Sequence, residues 1–161
     1  MKKLSAWCLV FIFFLASCSG VNSVVKKRWR NSENSIAILD MTSRGDELMD
    51  AGAQIHRSLE ESLLKTNFII GTSDESTHYQ LKYKVIEFDP GSRVKRFTTI
   101  GVLSKSGQAN VKVKAALFAG KKLVGRWDIE SWLNDGLLGG SSNAIFNKAA
   151  EEIVDHLKGD Y

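Results

Sequence analysis

The chain has one proline, Pro90, and two cysteines, Cys8 and Cys18, in 161 residues. A single proline excludes a stiff proline-rich stalk. Two cysteines exclude a disulfide scaffold and any zinc or iron–sulfur site built on several thiolates. Histidine is scarce too: His56, His78 and His156 are the three, and no His-x-x-x-His or His-Glu-x-x-His spacing joins them, which argues against a metal centre. The Gly-x-Ser-x-Gly elbow of a serine nucleophile is missing. The glycine-rich stretch 136–142 lacks the Gly-Lys-Ser/Thr ending of a nucleotide loop, so a capped turn before a helix is favoured over an anion site. Glu60-Glu61 and Glu151-Glu152 fall on helix surfaces, where solvation explains them better than acid–base chemistry. The expectation is a non-enzyme with no catalytic residue, no metal and no cofactor.

One long apolar run is present, at the N-terminus. Lys2 and Lys3 precede Leu4–Leu15, which is apolar apart from Ser5, and Ala16 and Ser17 follow. This is the plan of an export signal, and the run is short of the roughly 20 residues that a spanning helix needs. Leu15-Ala16-Ser17-Cys18 is similar to the lipobox of bacterial lipoproteins. That resemblance implies a signal peptide over 1–17, cleavage before Cys18, a diacylglyceryl thioether on its sulfur and a further acyl chain such as palmitate on its amine. Ser19 in place of Asp implies sorting to the outer membrane. An ordinary export signal with an incidental cysteine and an uncut signal anchor are the alternatives.

Charge is blocked along the chain. Residues 18–30 hold Lys26, Lys27, Arg28 and Arg30 and no acid; residues 31–78 sum to −6, 79–126 to +9 and 127–161 to −5. Acidic helices lying near a basic sheet would compensate internally; a basic surface meeting an anionic partner is the other reading. Residues 18–35 read as a flexible basic tether, free in solution or touching anionic headgroups.

From Ile36 the pattern is globular. Ile36–Leu39 predicts a buried strand. Leu48, Ala51, Ile55, Leu59 and Leu63 predict a helix over 44–66. Phe68–Ile70 is a second short strand. Residues 79–88 alternate, with Tyr79, Leu81, Tyr83 and Val85 on one face, then lose phase at Ile86–Phe88, which predicts a bulge. Residues 108–118 and 123–133 alternate on either side of a hairpin turn at 119–122. Phe146, Ala149, Ala150, Ile153, Val154 and Leu157 predict a helix over 142–158. The order is β-α-β-β-β-β-α. It predicts one α+β domain over 36–158 with a short tail at 159–161. The domain is expected as a two-layer sandwich, a largely antiparallel sheet with two helices on one face.

Lys82, Lys84, Lys112, Lys114 and Arg126 share the outward parity of the three long strands. Like charges side by side on a sheet are unfavourable, so a partner that neutralises them is expected, with Asp128 and Glu130 as partial compensation. The connection after residue 88 mixes basic groups (Arg93, Lys95, Arg96) with Phe97, Ile100, Val102 and Leu103 and is long for a hairpin. Lys82, Lys84, Arg93, Arg96, Lys112 and Lys114 form the candidate partner-binding set. An anionic glycan, a lipid headgroup or an acidic protein fits them; nucleic acid does not, because the lipobox implies a site outside the cytoplasm.

Tyr83–Phe88, then Asp89-Pro90-Gly91-Ser92-Arg93, and then Arg96 resemble a family of Gram-negative lipoproteins built on a domain of unknown function. Gly101–Val113 and Gly139–Val154 extend the resemblance; Ser104-Lys105-Ser106 departs from its glycine pattern. At the level of fold the chain is also similar to the periplasmic domains of curli-secretion lipoproteins and to the N-terminal domain of the Tol system. The resemblance implies an outer-membrane lipoprotein with its domain in the periplasm, joined to the membrane by its lipid anchor. Its expected role is non-catalytic binding of a protein or anionic envelope component in assembly or transport. A subunit of an oligomeric secretion complex and an envelope hydrolase are the alternatives.

Overall fold

The computed structural model describes residues 18–28, 30, 33–43, 46–71, 77–91, 109–134 and 143–159. The expected signal peptide lies outside them. Eight elements follow in chain order: β1 (Cys18–Lys27), β2 (Ser35–Asp40), α1 (Asp46–Leu63), β3 (Ile69–Ile70), β4 (Tyr79–Asp89), β5 (Ala109–Ala119), β6 (Lys122–Asn134) and α2 (Asn143–Lys158). They build a six-stranded sheet in the order β1-β6-β5-β4-β2-β3. β1, β6, β5 and β4 pair antiparallel, while β2 runs parallel to both β4 and β3. The α+β sandwich with an antiparallel majority is therefore present in the expected order, preceded by one more strand.

Period-two alternation sets the sheet. Tyr79, Leu81, Tyr83 and Val85 of β4 face the same side as Val111, Val113, Ala115 and Leu117 of β5 and Trp127, Ile129 and Leu133 of β6, and all are buried. The two helices cover that side. α1 delivers Ala51, Ile55, Leu59 and Leu63; α2 delivers Ile145, Phe146, Ala149, Ala150, Ile153, Val154 and Leu157. The helices also touch each other, with Ser58 Oγ donating to Asn147 Oδ1 at 2.8 Å.

The expected loss of phase in β4 is a register shift between Val85 and Glu87. The extra residue leaves Ile86 exposed and returns Phe88 to the core side, where its ring lies 5.4 Å from that of Phe146. The hairpin between β5 and β6 closes through Gly120, whose φ of 57° is one a side chain would strain.

Residues 18–27 correct the expectation of a tether. They form β1, paired with β6 from Cys18↔Asn134 to Lys27↔Arg126. Val21 and Val25 pack against the core, enough apolar contact to hold an edge strand whose other residues are mostly polar. Gly20 faces Trp132 so closely that a Cβ there would lie 2.4 Å from the indole ring. The bare backbone lets the ring lie over the strand.

β1 is pinned at its centre as well. Ser23 Oγ donates to Glu152 Oε1, and His156 Nε2 lies 3.0 Å from the same hydroxyl. The His156 ring stacks on Trp127 at 5.5 Å and 2°. On the opposite side of the core, the Tyr83 hydroxyl donates to the Gly52 carbonyl at 3.0 Å. Burial, reinforced by the Asp40 carboxylate beside it, holds that phenol protonated far above its ordinary range.

Candidate functional site

The face of the sheet away from the helices carries the candidate residues in rows across the strands. In the row closest to the Cys18 end, Glu87, Lys112, Glu130 and Asn22 follow one another across β4, β5, β6 and β1. Lys112 Nζ is 2.7 Å from Glu87 Oε2 and 3.9 Å from Glu130 Oε1. The hydrogen bond to Glu87 is the main cause that raises the ammonium above its ordinary pKa. The bulge at Ile86 puts Glu87 opposite Lys112. This cation is occupied locally.

The next row reads Lys84, Lys114, Asp128, Val24. Lys84 and Lys114 are direct cross-strand partners, and among the described residues neither has an ion pair. Asp128, opposite Lys114, is engaged from the other side: Lys26 Nζ lies 3.8 Å from its Oδ2. Its Oδ1 is buried without a hydrogen-bond partner. A shallow hollow of about 200 Å³ lies here, between Val24, Ile86, Lys112, Lys114, Asp128 and Glu130.

The third row reads Lys82, Ala116, Arg126, Lys27. Lys82 Nζ stands 5.1 Å above the Phe118 ring, a cation–π contact that positions the ammonium without neutralising it. The Lys27 ammonium donates to the Leu123 carbonyl. The structure thus brings together Lys82, Lys84, Lys114 and Arg126, ties up Lys112, and adds Lys26 and Lys27. The two lysines of β1 stand on the sheet and not in the expected tether: Asn22, Ser23 and Gly20 give the segment a leash-like composition, and the alternation of Val21 and Val25 is the one sign of a strand. Arg93 and Arg96 lie outside the described residues.

Distance along the strands fixes what this face can meet. At about 3.3 Å per residue, the Lys84–Lys114 row lies about 20 Å from Cys18, and the Lys82–Arg126–Lys27 row about 26 Å or more. The field of an exposed charge decays over about 8 Å at physiological salt.

Ser23, His156 and Glu152 bring a hydroxyl, an imidazole and a carboxylate together. In a nucleophile relay the hydroxyl and the carboxylate hold opposite ring nitrogens. Here both approach Nε2, at 3.0 and 3.4 Å, and the ring is buried against Trp127. This arrangement fastens β1 to α2. Burial is the main cause that pushes the His156 pKa below its ordinary 6.5, against the pull of Glu152 and Asp155. The unfolded chain therefore takes up this proton first as pH falls. The imidazole's contribution to stability is complete above pH 6.5 and declines as pH drops through the lowered value. In urea melts, the loss of stability from pH 7.5 to 5.0 is expected to be smaller in His156→Gln than in the parent. Equal losses would contradict the assignment.

Among the described residues no helix is long and apolar enough to cross a membrane, and no three His, Cys, Asp or Glu side chains are placed to hold a metal ion. No family model and no curated protein matches the chain. Solved structures do resemble it. The PelC dodecamer from Paraburkholderia phytofirmans is 14% identical, covering 86% of this chain and 98% of its own, with a TM-score of 0.50. The chain shares the PelC fold. Domains of unknown function are also among its structural neighbours. A Xanthomonas campestris protein of family DUF330 is 13% identical over 84% of this chain and 90% of its own, at a TM-score of 0.46. A DUF4136 family protein from Bacteroides thetaiotaomicron is 13% identical over 89% and 98%, at 0.40.

Proposed function

We propose that this chain is a non-catalytic outer-membrane lipoprotein, acylated at Cys18, whose domain in the periplasm binds an anionic partner through its bare sheet face. The role is in envelope assembly or transport. The observation that carries the reading is the Lys84–Lys114 pair. Two ammonium groups directly across neighbouring strands repel each other, and among the described residues no carboxylate pairs with either one. A partner that supplies negative charge removes that cost.

The anchor narrows the partner. Because Cys18 is the first residue of β1, no leash separates the lipid from the sheet, and the free cations stand 20 Å or more along the strands from it. With the strands upright, that is more than two screening lengths from the anchoring leaflet. This favours an acidic protein surface or anionic glycan over the headgroups of that leaflet. It also removes Lys26 and Lys27 from the expected role of membrane contacts beside the lipid. A second reading, a subunit of an oligomeric secretion complex, is favoured by the dodecameric state of PelC, which has the same fold.

The test is the triple variant Lys82→Glu, Lys84→Glu, Lys114→Glu, crosslinked in intact envelopes. Lys112 is left in place because its carboxylate partners are local. Capture of the wild-type partner is expected to fall at least tenfold, with secondary structure unchanged. Undiminished capture would overturn the reading.

A further inference from the structure

The blocked charges of the sequence end on opposite sides of the molecule. β1, β4, β5 and β6 carry eight cations and four carboxylates, a net +4. The two helices carry eight carboxylates and three cations, a net −5. The hydrophobic core lies between the sheet and the helices, so the two sets are not in contact. A helix layer about 10 Å thick on a sheet puts the outer charges roughly 20 Å apart, more than two screening lengths through solvent. Internal compensation between acidic helices and basic sheet is therefore weak, and both charged faces remain available.

The two faces also match in position along the molecule. β2 runs parallel to β4, and β4 ends at the Cys18 end of the sheet. α1 follows β2 and runs back from that end, and α2 does so after β6. The C-terminal halves of both helices thus lie at the far end. Glu60, Glu61 and Glu151 are exposed there, as are Arg57 and Lys65, and with Glu152, Asp155 and Lys158 this far half keeps a net charge of −2. Among the described residues Glu61 and Glu151 have no ion pair, and Glu60 has only His56, at 3.5 Å. Lys82, Lys84, Lys114 and Arg126 occupy the same far half on the sheet side. Copies anchored through the same residue, at the head of the same strand, hold these two patches at one height above the leaflet.

We infer that the partner of the basic sheet face is a second copy of this chain, which presents the acidic far half of its helix layer. This rests on the basic-face reading above and names its occupant. The contact is heterologous: a bound pair still offers one free face of each sign. Such association passes beyond a dimer and closes as a ring or runs on as a filament. Membrane anchoring restricts the copies to one plane, which favours closure.

The full acylated chain in neutral detergent is the sample, and sedimentation at 50 and 500 mM salt the measurement. The wild type is expected to form species larger than a dimer at low salt, with association at least tenfold weaker at high salt. The sheet set Lys82→Glu, Lys84→Glu, Lys114→Glu and the helix set Glu60→Lys, Glu61→Lys, Glu151→Lys should each abolish association. One chain carrying both sets should regain it, because the charges are exchanged between complementary faces. Circular dichroism and melting of each variant separate lost contact from lost fold. A monomeric wild type at both salts, or association indifferent to both sets, overturns the inference. If the wild type is monomeric but the sheet set still abolishes envelope crosslinking, the second copy is refuted and the basic-face reading stands. If crosslinking is also unchanged, both fall.

Discussion

Replacing Trp127 with alanine is expected to cost about 3–5 kcal/mol of folding stability. Against a total of about 5–15 kcal/mol for a domain of this kind, that is enough to leave the protein partly unfolded at 37 °C. Trp127 is 0% exposed, the largest fully buried side chain of the core. It sits on β6 opposite Ala115 of β5 and Val25 of β1. Ala115 has too little volume to fill the space that truncation would leave. The ring also stacks on His156, so the latch between β1 and α2 loses its floor. Urea denaturation checks this. The midpoint should fall sharply for Trp127→Ala and less for Trp127→Phe, which keeps an aromatic plane against the imidazole. A loss below about 1 kcal/mol for the alanine variant would mean that the β1–β6–α2 junction is not the packed centre described here.

The second large effect is on location. Cys18→Ser removes the thiol proposed to form the thioether. Each acyl chain of about 15 methylenes contributes on the order of 10 kcal/mol of membrane binding. Labelling with a palmitate precursor should disappear, and the variant should leave the outer-membrane fraction. Cys18 is the terminal residue of an edge strand, so the excised domain carrying Cys18→Ser should keep its stability within about 0.5 kcal/mol of the parent in urea melts. Undiminished label, or unchanged co-sedimentation with outer membrane, would contradict the anchor.

The elements with strong periodicity are legible in the sequence. β4 and β5 alternate with few exceptions, and both helices show their stripes from Leu48 to Leu63 and from Phe146 to Leu157. The break of phase after Val85 foretold the bulge. β1 was not legible, because an edge strand buries one side only and its partner, β6, lies about a hundred residues away. Two inward valines among serines, an asparagine and lysines do not outweigh a tether-like composition. The site was half legible for the same reason. Parity put Lys82, Lys84, Lys112 and Lys114 on one face, but only register shows that Glu87 claims Lys112 while Lys84 and Lys114 face each other. The blocks of charge were plain in the sequence, yet which blocks face apart depends on the layer each one joins.

The measurement closest to the centre of this account is the intact mass and N-terminal peptide mass of the mature protein, isolated from its native envelope. A chain that starts at residue 18 and carries a diacylglyceryl thioether plus one further acyl group is expected. A free thiol at that residue, or a leader still attached, would contradict it.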